Sequence, residues 1–381
     1  AGHDGEKGLT PSPYLTRLAE PEEKSPEFLA HSVTANQTRA GELLATGREN
    51  ECEGLFGIPS LEAAAEIIGI ETVDRTGTPG IYDAEFAGNE IAETFAAAYT
   101  EKTQFAPTVL ERYRECPFKW YLTDHLRLEN PADFSAEKII VGTVMHKAME
   151  RFFREYTEPL TQENETEAAE VLKKIVREEF DSWQIKTPSW QSLQNGYLGN
   201  GGLESSCEQI IRLETGFYAK GFRTLPEWLE QKVTADIPGG DPFTVTGWVD
   251  RVMFNEQTKE FAVVDYKTGS VKKWKELEEG SALQIPLYTE AVRQMTGCNP
   301  LPGTYLKIAP DEVEDKNPYL VRGKQQKSVE EVCDAAFEFC RETREMMKAG
   351  KCGTVSGETC PDDYCPYKRI CRFVPFRGEE A

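Results

Sequence analysis

Long apolar runs are missing from this chain: nowhere do its 381 residues approach the ~18–20 uninterrupted apolar positions that a membrane helix needs. No basic stretch followed by an apolar, small-residue segment is visible at the start, so no secretory signal is legible. Internal repeats and low-complexity tracts are also lacking. Histidine is scarce, with 4 in the whole chain, so each one is conspicuous. Cations are outnumbered: 43 Lys and Arg stand against 65 Asp and Glu, a net charge of −22. Taken alone, that deficit argues against nucleic acid as a partner, because phosphate binding draws on Lys and Arg. A local groove can still be basic on an acidic molecule, so only a signal at the level of a site can outweigh the objection.

Apolar content of 39% and charged content of 28% suit a globular chain long enough for one large core or for two or three domains. The chain opens Ala1-Gly2-His3 rather than with Met, which suits a processed protein or a piece of a longer polypeptide, and the piece is the favoured reading. Residues 1–30 are polar and Pro-rich, an irregular lead-in. Helices are predicted at 36–50, 60–69 and 90–101, the second with a Ser60 cap and a terminal Gly69. This part carries no constellation tied to chemistry and reads as a helical packing or linking segment.

Composition changes after Thr103. A helix is predicted from Thr108 to about 122, with Glu111 completing a capping box. Further helices are predicted from near Gly142, over 166–183 and over 203–221, while the Gly-, Asn- and Ser-rich residues 187–202 read as a mobile loop. Strands follow at 229–237, 243–254 and 260–266, the last two joined by the turn Asn255–Lys259. A helix at 281–296, a strand near 303–308 and a long helix at 328–349 complete an α/β core with a mixed sheet.

Two of these strands carry the chemistry. Asp250 sits in Gly247-Trp248-Val249-Asp250-Arg251, and Asp265 and Lys267 in Val264-Asp265-Tyr266-Lys267-Thr268-Gly269. A carboxylate at the end of a buried strand is costly unless it is paired or binds metal. Two of them on a hairpin can converge on one hard cation, and Mg²⁺ takes one or two carboxylates while keeping waters. Lys267 falls on the Asp265 face because strand side chains alternate. A metal-activated water beside a fixed cation is what phosphodiester hydrolysis requires. An Asp-x-Lys step alone is weak, since a surface hairpin with an ion pair looks the same. Gln284 and Tyr288 share one face of the next helix, where they can contact a phosphate or brace Lys267. His146 opens a helix after Gly142, although a lone His is more often a satisfied core residue.

Of the 10 cysteines, eight divide in two groups. Cys52, Cys207, Cys298, Cys333 and Cys340 are scattered, whereas Cys360, Cys365 and Cys371 crowd together near the end. With Cys116, in Cys116-Pro117-Phe118-Lys119-Trp120-Tyr121, the trio supplies the four thiolates that a [4Fe–4S] cluster or a structural zinc takes. Spacing alone does not separate the two metals.

The series Gly142-x3-His146, Gly247-x2-Asp250-Arg251, Val264-Asp265-Tyr266-Lys267-Thr268-Gly269 and Gln284-x3-Tyr288 resembles the RecB-like PD-(D/E)XK nuclease motifs in order and approximate spacing. The early Cys-Pro-Phe-Lys-Trp-Tyr with the late Tyr-Cys-Pro-Tyr-x3-Cys resembles the iron–sulfur nuclease domains of AddB-type helicase–nuclease subunits and of CRISPR-associated RecB-like exonucleases. The resemblance implies an α/β restriction-endonuclease-like core with a mixed central sheet flanked by helices. It implies that His146, Asp250, Asp265 and the Tyr266 carbonyl ligate Mg²⁺ or Mn²⁺, with Lys267 catalytic and Gln284 and Tyr288 the family's Q-x3-Y helix. Glu230 matches an acidic residue ahead of the hairpin. The resemblance further implies a [4Fe–4S] cluster on Cys116, Cys360, Cys365 and Cys371. Cys360 and Cys365 have four residues between them where two are usual, which leaves Cys352 as an alternative ligand.

Motif coverage places a nuclease domain at 103–381 and leaves 1–102 as a helical leader, the end of a larger helicase-like body. The function this implies is a cytoplasmic, metal-dependent DNA exonuclease acting on single-stranded DNA in double-strand break repair, partnered by a helicase-like body or subunit and by no membrane. The alternatives are a CRISPR-associated exonuclease, against which the long leader weighs, and a non-catalytic DNA-binding scaffold, against which the intact His–Asp–Asp–Lys set weighs. Candidates for gripping DNA are Arg112, Arg114 and Lys119, then Lys272, Lys273 and Lys275, then Lys316, Arg322, Lys324 and Lys327.

Overall fold

The computed structural model describes residues 3–4, 7–8, 50, 84–88, 90–99, 104–128, 136–199, 204–310, 312–317, 327–354, 365–367 and 371. The chain divides into two compact units, Ala1–Thr76 and Gly77–Ala381. In the first, the short strands β1 (His3–Asp4) and β2 (Lys7–Gly8) pair antiparallel.

The second unit is built on a mixed sheet. β4 (Arg223–Ile237) and β5 (Phe243–Asn255) form a long antiparallel ribbon, and β6 (Glu260–Lys267) pairs antiparallel with β5. β8 (Thr304–Ile308) runs parallel to β6, and β9 (Val313–Lys316) antiparallel to β8. The short strands β3 (Gln104–Phe105) and β7 (Asn299–Pro300) add parallel pairs to β5 and β6.

Helices cover both faces, and the alternation along β6 shows why. Val264 and Tyr266 pack into a core made with α4 (Ala136–Glu155), α5 (Glu165–Ser182), α6 (Pro188–Leu198) and α7 (Ser206–Ala219). Phe261 and Val263 pack the other way, against Tyr288, Ala291 and Val292 of α9 (Gln284–Thr296). Successive strand residues point to opposite faces, so a continuous apolar run is what a sheet covered on both sides needs. A third core gathers α1 (Ala92–Ala98), α2 (Pro107–Glu115), α3 (Pro117–Trp120), the short α8 (Trp274–Glu278) and α10 (Val329–Lys348). Ser205 and Ser328 start α7 and α10 with capping boxes closed by Glu208 and Glu331. Gly297 ends α9 at φ 68°, a left-handed turn that glycine adopts without a Cβ penalty.

Several local expectations are corrected. The helix read from Thr108 begins at Pro107 behind Ala106, with no side-chain cap, because proline at the first helical position already has the required φ. It does not run on to 122. Cys116 is extended (φ −158°, ψ 106°), as the residue before Pro117 tends to be, and the chain resumes as α3 and a π-helical turn, Tyr121–His125. The helix read from Gly142 starts earlier, at Ala136, through the good helix formers Ala136, Glu137 and Lys138. Residues 187–202 are not a loop throughout: Thr187 caps α6, Pro188 opens it, and Trp190 and Tyr197 are buried beneath it. Apart from Asn50, the predicted helices at 36–50 and 60–69 lie outside the described residues, as do Cys52, Cys360, Arg322 and Lys324. Among the described residues no helix is long and apolar enough to cross a membrane.

Candidate active site

The β5–β6 ladder runs from Asn255↔Glu260 to Arg251↔Val264, and Asp250 and Asp265 are the next residue on each strand. Asp250 Oδ2 accepts a hydrogen bond from the Tyr266 amide at 2.7 Å, which fixes the carboxylate where a backbone acceptor would otherwise be. On the opposite side of β5, the β4 pairing skips Glu230, whose φ of 48° is left-handed. Such a conformation is strained for a residue with a Cβ and persists where the surroundings impose it. His146, from α4, lies against the same point. Its Nε2 is 3.1 Å from the Tyr266 carbonyl oxygen, and its Nδ1 is 3.4 Å from Asp250 and 3.8 Å from Glu230. Ligand atoms of His146, Glu230 and Asp250 all fall within 4.8 Å of one another.

Asp265 stands beside this group. It is buried, with Oδ2 at 2.6 Å from Lys267 Nζ, yet that oxygen accepts no hydrogen bond of good geometry. Burial, and then the charge of Asp250, push the Asp265 carboxyl up to about 7 against the pull of Lys267. For His146, burial acts downward, but the carboxylates of Asp250 and Glu230 outweigh it and raise the imidazole to about 10. Lys267 Nζ also donates to Gln284 Oε1 at 2.9 Å, so the ammonium is held between a carboxylate and an amide. Tyr288, one turn further along α9, is pushed above the usual tyrosine range by burial and then by the charge of Asp265. Gly247 makes room for it: a Cβ there would lie 2.4 Å from the Tyr288 hydroxyl.

The structure therefore brings together every described site residue expected on the strands and on α4 and α9. It gives Glu230 a more central place than its sequence match suggested, and it leaves Asp265 outside the three-residue ligand group. It also reveals Glu111, taken from sequence as a cap of its own helix, whose carboxylate reaches the start of α9 instead. The cluster of oxygen and imidazole donors, with an Asp265 oxygen buried and lacking a hydrogen bond, fits a hard divalent cation.

Cys116, Cys365 and Cys371 border one apolar core that also holds Cys352 and Tyr367. Cys116 Sγ accepts from the Lys119 amide at 3.4 Å, capping α3. Thr123 donates to the Tyr367 hydroxyl at 3.1 Å, and the Cys371 amide to the Tyr367 carbonyl at 2.8 Å, so the terminal segment is tied to the turn after α3. No disulfide is formed among the described cysteines, and a set of thiol donors suits a thiophilic metal. Cys352 is buried, and its thiol is pushed up to about 12 by burial.

Most cations expected to grip DNA are already engaged. Arg112 binds Asp124 through both carboxylate oxygens, at 2.5 and 2.6 Å. Lys272 pairs with Glu276 at 3.1 Å, Lys275 with Glu279 at 3.6 Å and Lys316 with Glu314 at 2.5 Å. Lys327 donates to the Glu278 carbonyl at 3.0 Å.

The model of the PD-(D/E)XK nuclease superfamily matches residues 104–372, which takes in the whole sheet and both cysteine segments. The chain belongs to this superfamily. As a PD-(D/E)XK protein it is similar to three curated proteins, each named as one subunit of an ATP-dependent helicase/deoxyribonuclease. The one from Clostridium acetobutylicum is 24% identical over 245 residues, covering 58% of the chain and 20% of that protein. Those from Acetivibrio thermocellus and Carboxydothermus hydrogenoformans are each 24% identical, over 267 and 250 residues, covering 65% and 61% of the chain and 23% and 22% of those proteins. The PD-(D/E)XK chain thus matches about a fifth of the length of these relatives.

Proposed function

We propose that the chain is a divalent-metal-dependent deoxyribonuclease domain that hydrolyses single-stranded DNA as part of a helicase–nuclease engaged in double-strand break repair. The observation that carries this reading is the convergence of Asp250, Asp265 and Lys267, on adjacent strands, with His146 and Glu230. The names of the three relatives support DNA as the substrate and a helicase as the partner. We assign the nuclease domain to 103–381 and 1–102 to the end of a larger helicase-like body whose last helix, α1, packs into the nuclease core, the whole working in the cytoplasm.

Asp250, Asp265, His146 and the Tyr266 carbonyl would hold Mg²⁺ or Mn²⁺, with Glu230 as a further carboxylate. When bound, the metal acidifies a water and neutralises phosphate charge. Lys267 is held by Asp265 and Gln284 with its charge fixed at the site, so it stabilises negative charge developing on the phosphate without reorganising. Gln284 sets the reach of Lys267, and Tyr288 backs that pair from the next turn. Cys116, Cys360, Cys365 and Cys371 would hold a [4Fe–4S] cluster, whose role is to tie the two ends of the domain together. The contacts of Tyr367 with Thr123 and Leu128 support that role.

The test is cleavage of an end-labelled single strand by anaerobically purified protein, with Mg²⁺, with Mn²⁺ and with chelator. Metal-dependent cutting that Asp265→Ala abolishes, at an unchanged melting temperature, is the expected result. Cutting that survives the chelator or that substitution overturns the reading.

A further inference from the structure

Trp248 is 60% exposed, the most exposed large apolar side chain among the described residues. Its position is not that of a stray surface residue. On β4 and β5 the burial alternates: Val233, Ala235 and Val249 are buried, while Lys232, Thr234 and Trp248 face outward. Trp248 pairs with Lys232 across the ribbon, and Thr234 and Thr246 bridge their hydroxyls at 3.0 Å two residues along. The indole lines an open cleft of about 570 Å³ together with Gly142, Thr143, His146, Lys147 and Glu150 of α4 and with Glu230. An uncovered aromatic surface therefore shares a cleft with two members of the candidate metal group.

We propose that Trp248 is a stacking platform for an unpaired nucleobase of the DNA strand, next to the nucleotide whose phosphate enters the metal group. The proposal rests on the nuclease reading and names how its site selects substrate. Every base has a π face, so an aromatic side chain grips a strand without reading its sequence. In a duplex those faces are already stacked, so a platform beside the scissile phosphate favours single strands. Lys232 pairs with Trp248 across the ribbon and Lys147 lines the same cleft, so both can meet phosphates of a strand stacked there. Elsewhere Arg112, Lys272, Lys275 and Lys316 are engaged by acidic side chains. On a chain of net charge −22, stacking offers a grip that does not depend on surplus cations.

The experiment compares the full chain with Trp248→Ala and Trp248→Phe, after melting curves have checked that each is folded. Oligothymidylate binding is measured with Ca²⁺ in place of the working metal, and cleavage kinetics with Mn²⁺. Trp248→Ala is expected to weaken binding and raise KM on the order of tenfold with kcat little changed, and Trp248→Phe to recover most of the loss. A strand with one abasic residue, stepped through each position, should bind wild type as weakly as the intact strand binds Trp248→Ala at one position. At that position the two losses should not add. Unchanged binding and KM in Trp248→Ala, or losses that add at every position, overturn the platform. Trp248-dependent binding without metal-dependent cutting by wild type supports the platform and overturns the nuclease reading instead.

Discussion

The Glu111 carboxylate accepts a hydrogen bond from the Leu283 amide at 2.7 Å, joining α2 to the start of α9 across 172 residues of chain. Leu283 is the residue before Gln284, which holds Lys267, so Glu111 fixes the register of that helix at the site. Burial raises the Glu111 carboxyl, and the amide bond together with the charges of Lys272 and Lys267 opposes that rise. Glu111→Ala leaves the buried amide without its partner, a loss of about 1–3 kcal/mol. It should also lower kcat, because Gln284 no longer sits at a fixed height. Glu111→Gln keeps an acceptor and should recover most of the stability. Urea unfolding and single-turnover rates on the three proteins check this, and an Ala variant as stable and active as wild type contradicts it.

That contact shows where sequence was informative and where it was not. Asp265 and Lys267 are legible because a period of two puts both on one face of a strand, and the structure has them 2.6 Å apart. Gln284 and Tyr288 are legible by the same logic on a helix. Glu111 has the spacing of a capping box with Thr108, but Pro107 starts the helix one residue earlier and frees the carboxylate for a partner far away in sequence. Glu230 meets Asp250 only because β4 pairs with β5 and is irregular at that residue, a matter of register that no local pattern encodes. Residues 187–202 have the composition of a loop, and burial of Trp190 and Tyr197 outweighs it.

Lys267 is the most direct test of the chemistry. Lys267→Met keeps much of the stem and removes the charge, so metal binding and folding should persist while kcat falls by about 10²–10³, the scale of losing one preorganised charge-stabilising group. Gln284→Ala should have a smaller effect, since the Asp265 contact still holds the ammonium. Metal titration and turnover measured on the same preparations separate the two roles. A kcat for Lys267→Met within a few-fold of wild type removes Lys267 from the mechanism.

Metal binding should release protons. In the metal-free protein His146 is raised to about 10, so at pH 7.5 its imidazole is charged and must lose a proton to act as a ligand. Asp265, raised to about 7, is partly protonated there and more so at lower pH. Metal affinity should therefore rise with pH from 6 to 9. Folding of the metal-free protein has the opposite sign at His146: the raised group favours the folded state fully below its unfolded value near 6.5, and that contribution is lost as pH rises through about 10. Calorimetric Mn²⁺ titrations at pH 7.5 in buffers of different ionisation enthalpy should show the proton uptake by buffer. Heats that do not vary between buffers contradict the assignment.

Arg251, beside Asp250, forms a fully buried bidentate pair with Glu214 of α7, both bonds at 2.8 Å, and its guanidinium lies 4.6 Å over the Phe153 ring. The pair anchors β5 to the helices on the α4 side, immediately next to the metal group. Removing one partner strands a buried charge, so Glu214→Ala should cost about 3–5 kcal/mol, whereas Arg251→Met with Glu214→Leu should cost far less. Denaturant midpoints of the single and double variants decide this, and a double variant no more stable than the single one counts against it.

The terminal cysteines should act on stability before chemistry. Cys116 opens the domain and Cys371 lies near its close, and Tyr367 already meets Thr123 and Leu128 on the turn after α3. Metal–thiolate bonds form only when the site is assembled, which couples their free energy to folding. Cys371→Ala should therefore lose iron, lower the melting temperature and expose both the segment near 108–128 and the terminal segment to hydrogen exchange. The Asp250–Asp265–Lys267 strands should keep their protection, since their core is made with α4–α7 and α9. Cys352→Ala separates the ligand choices: if Cys360 is the fourth ligand, iron content stays at the wild-type level, and if iron is lost with Cys352 the assignment passes to that residue. A Cys371→Ala protein without iron that melts and cuts like wild type shows that no such tie exists.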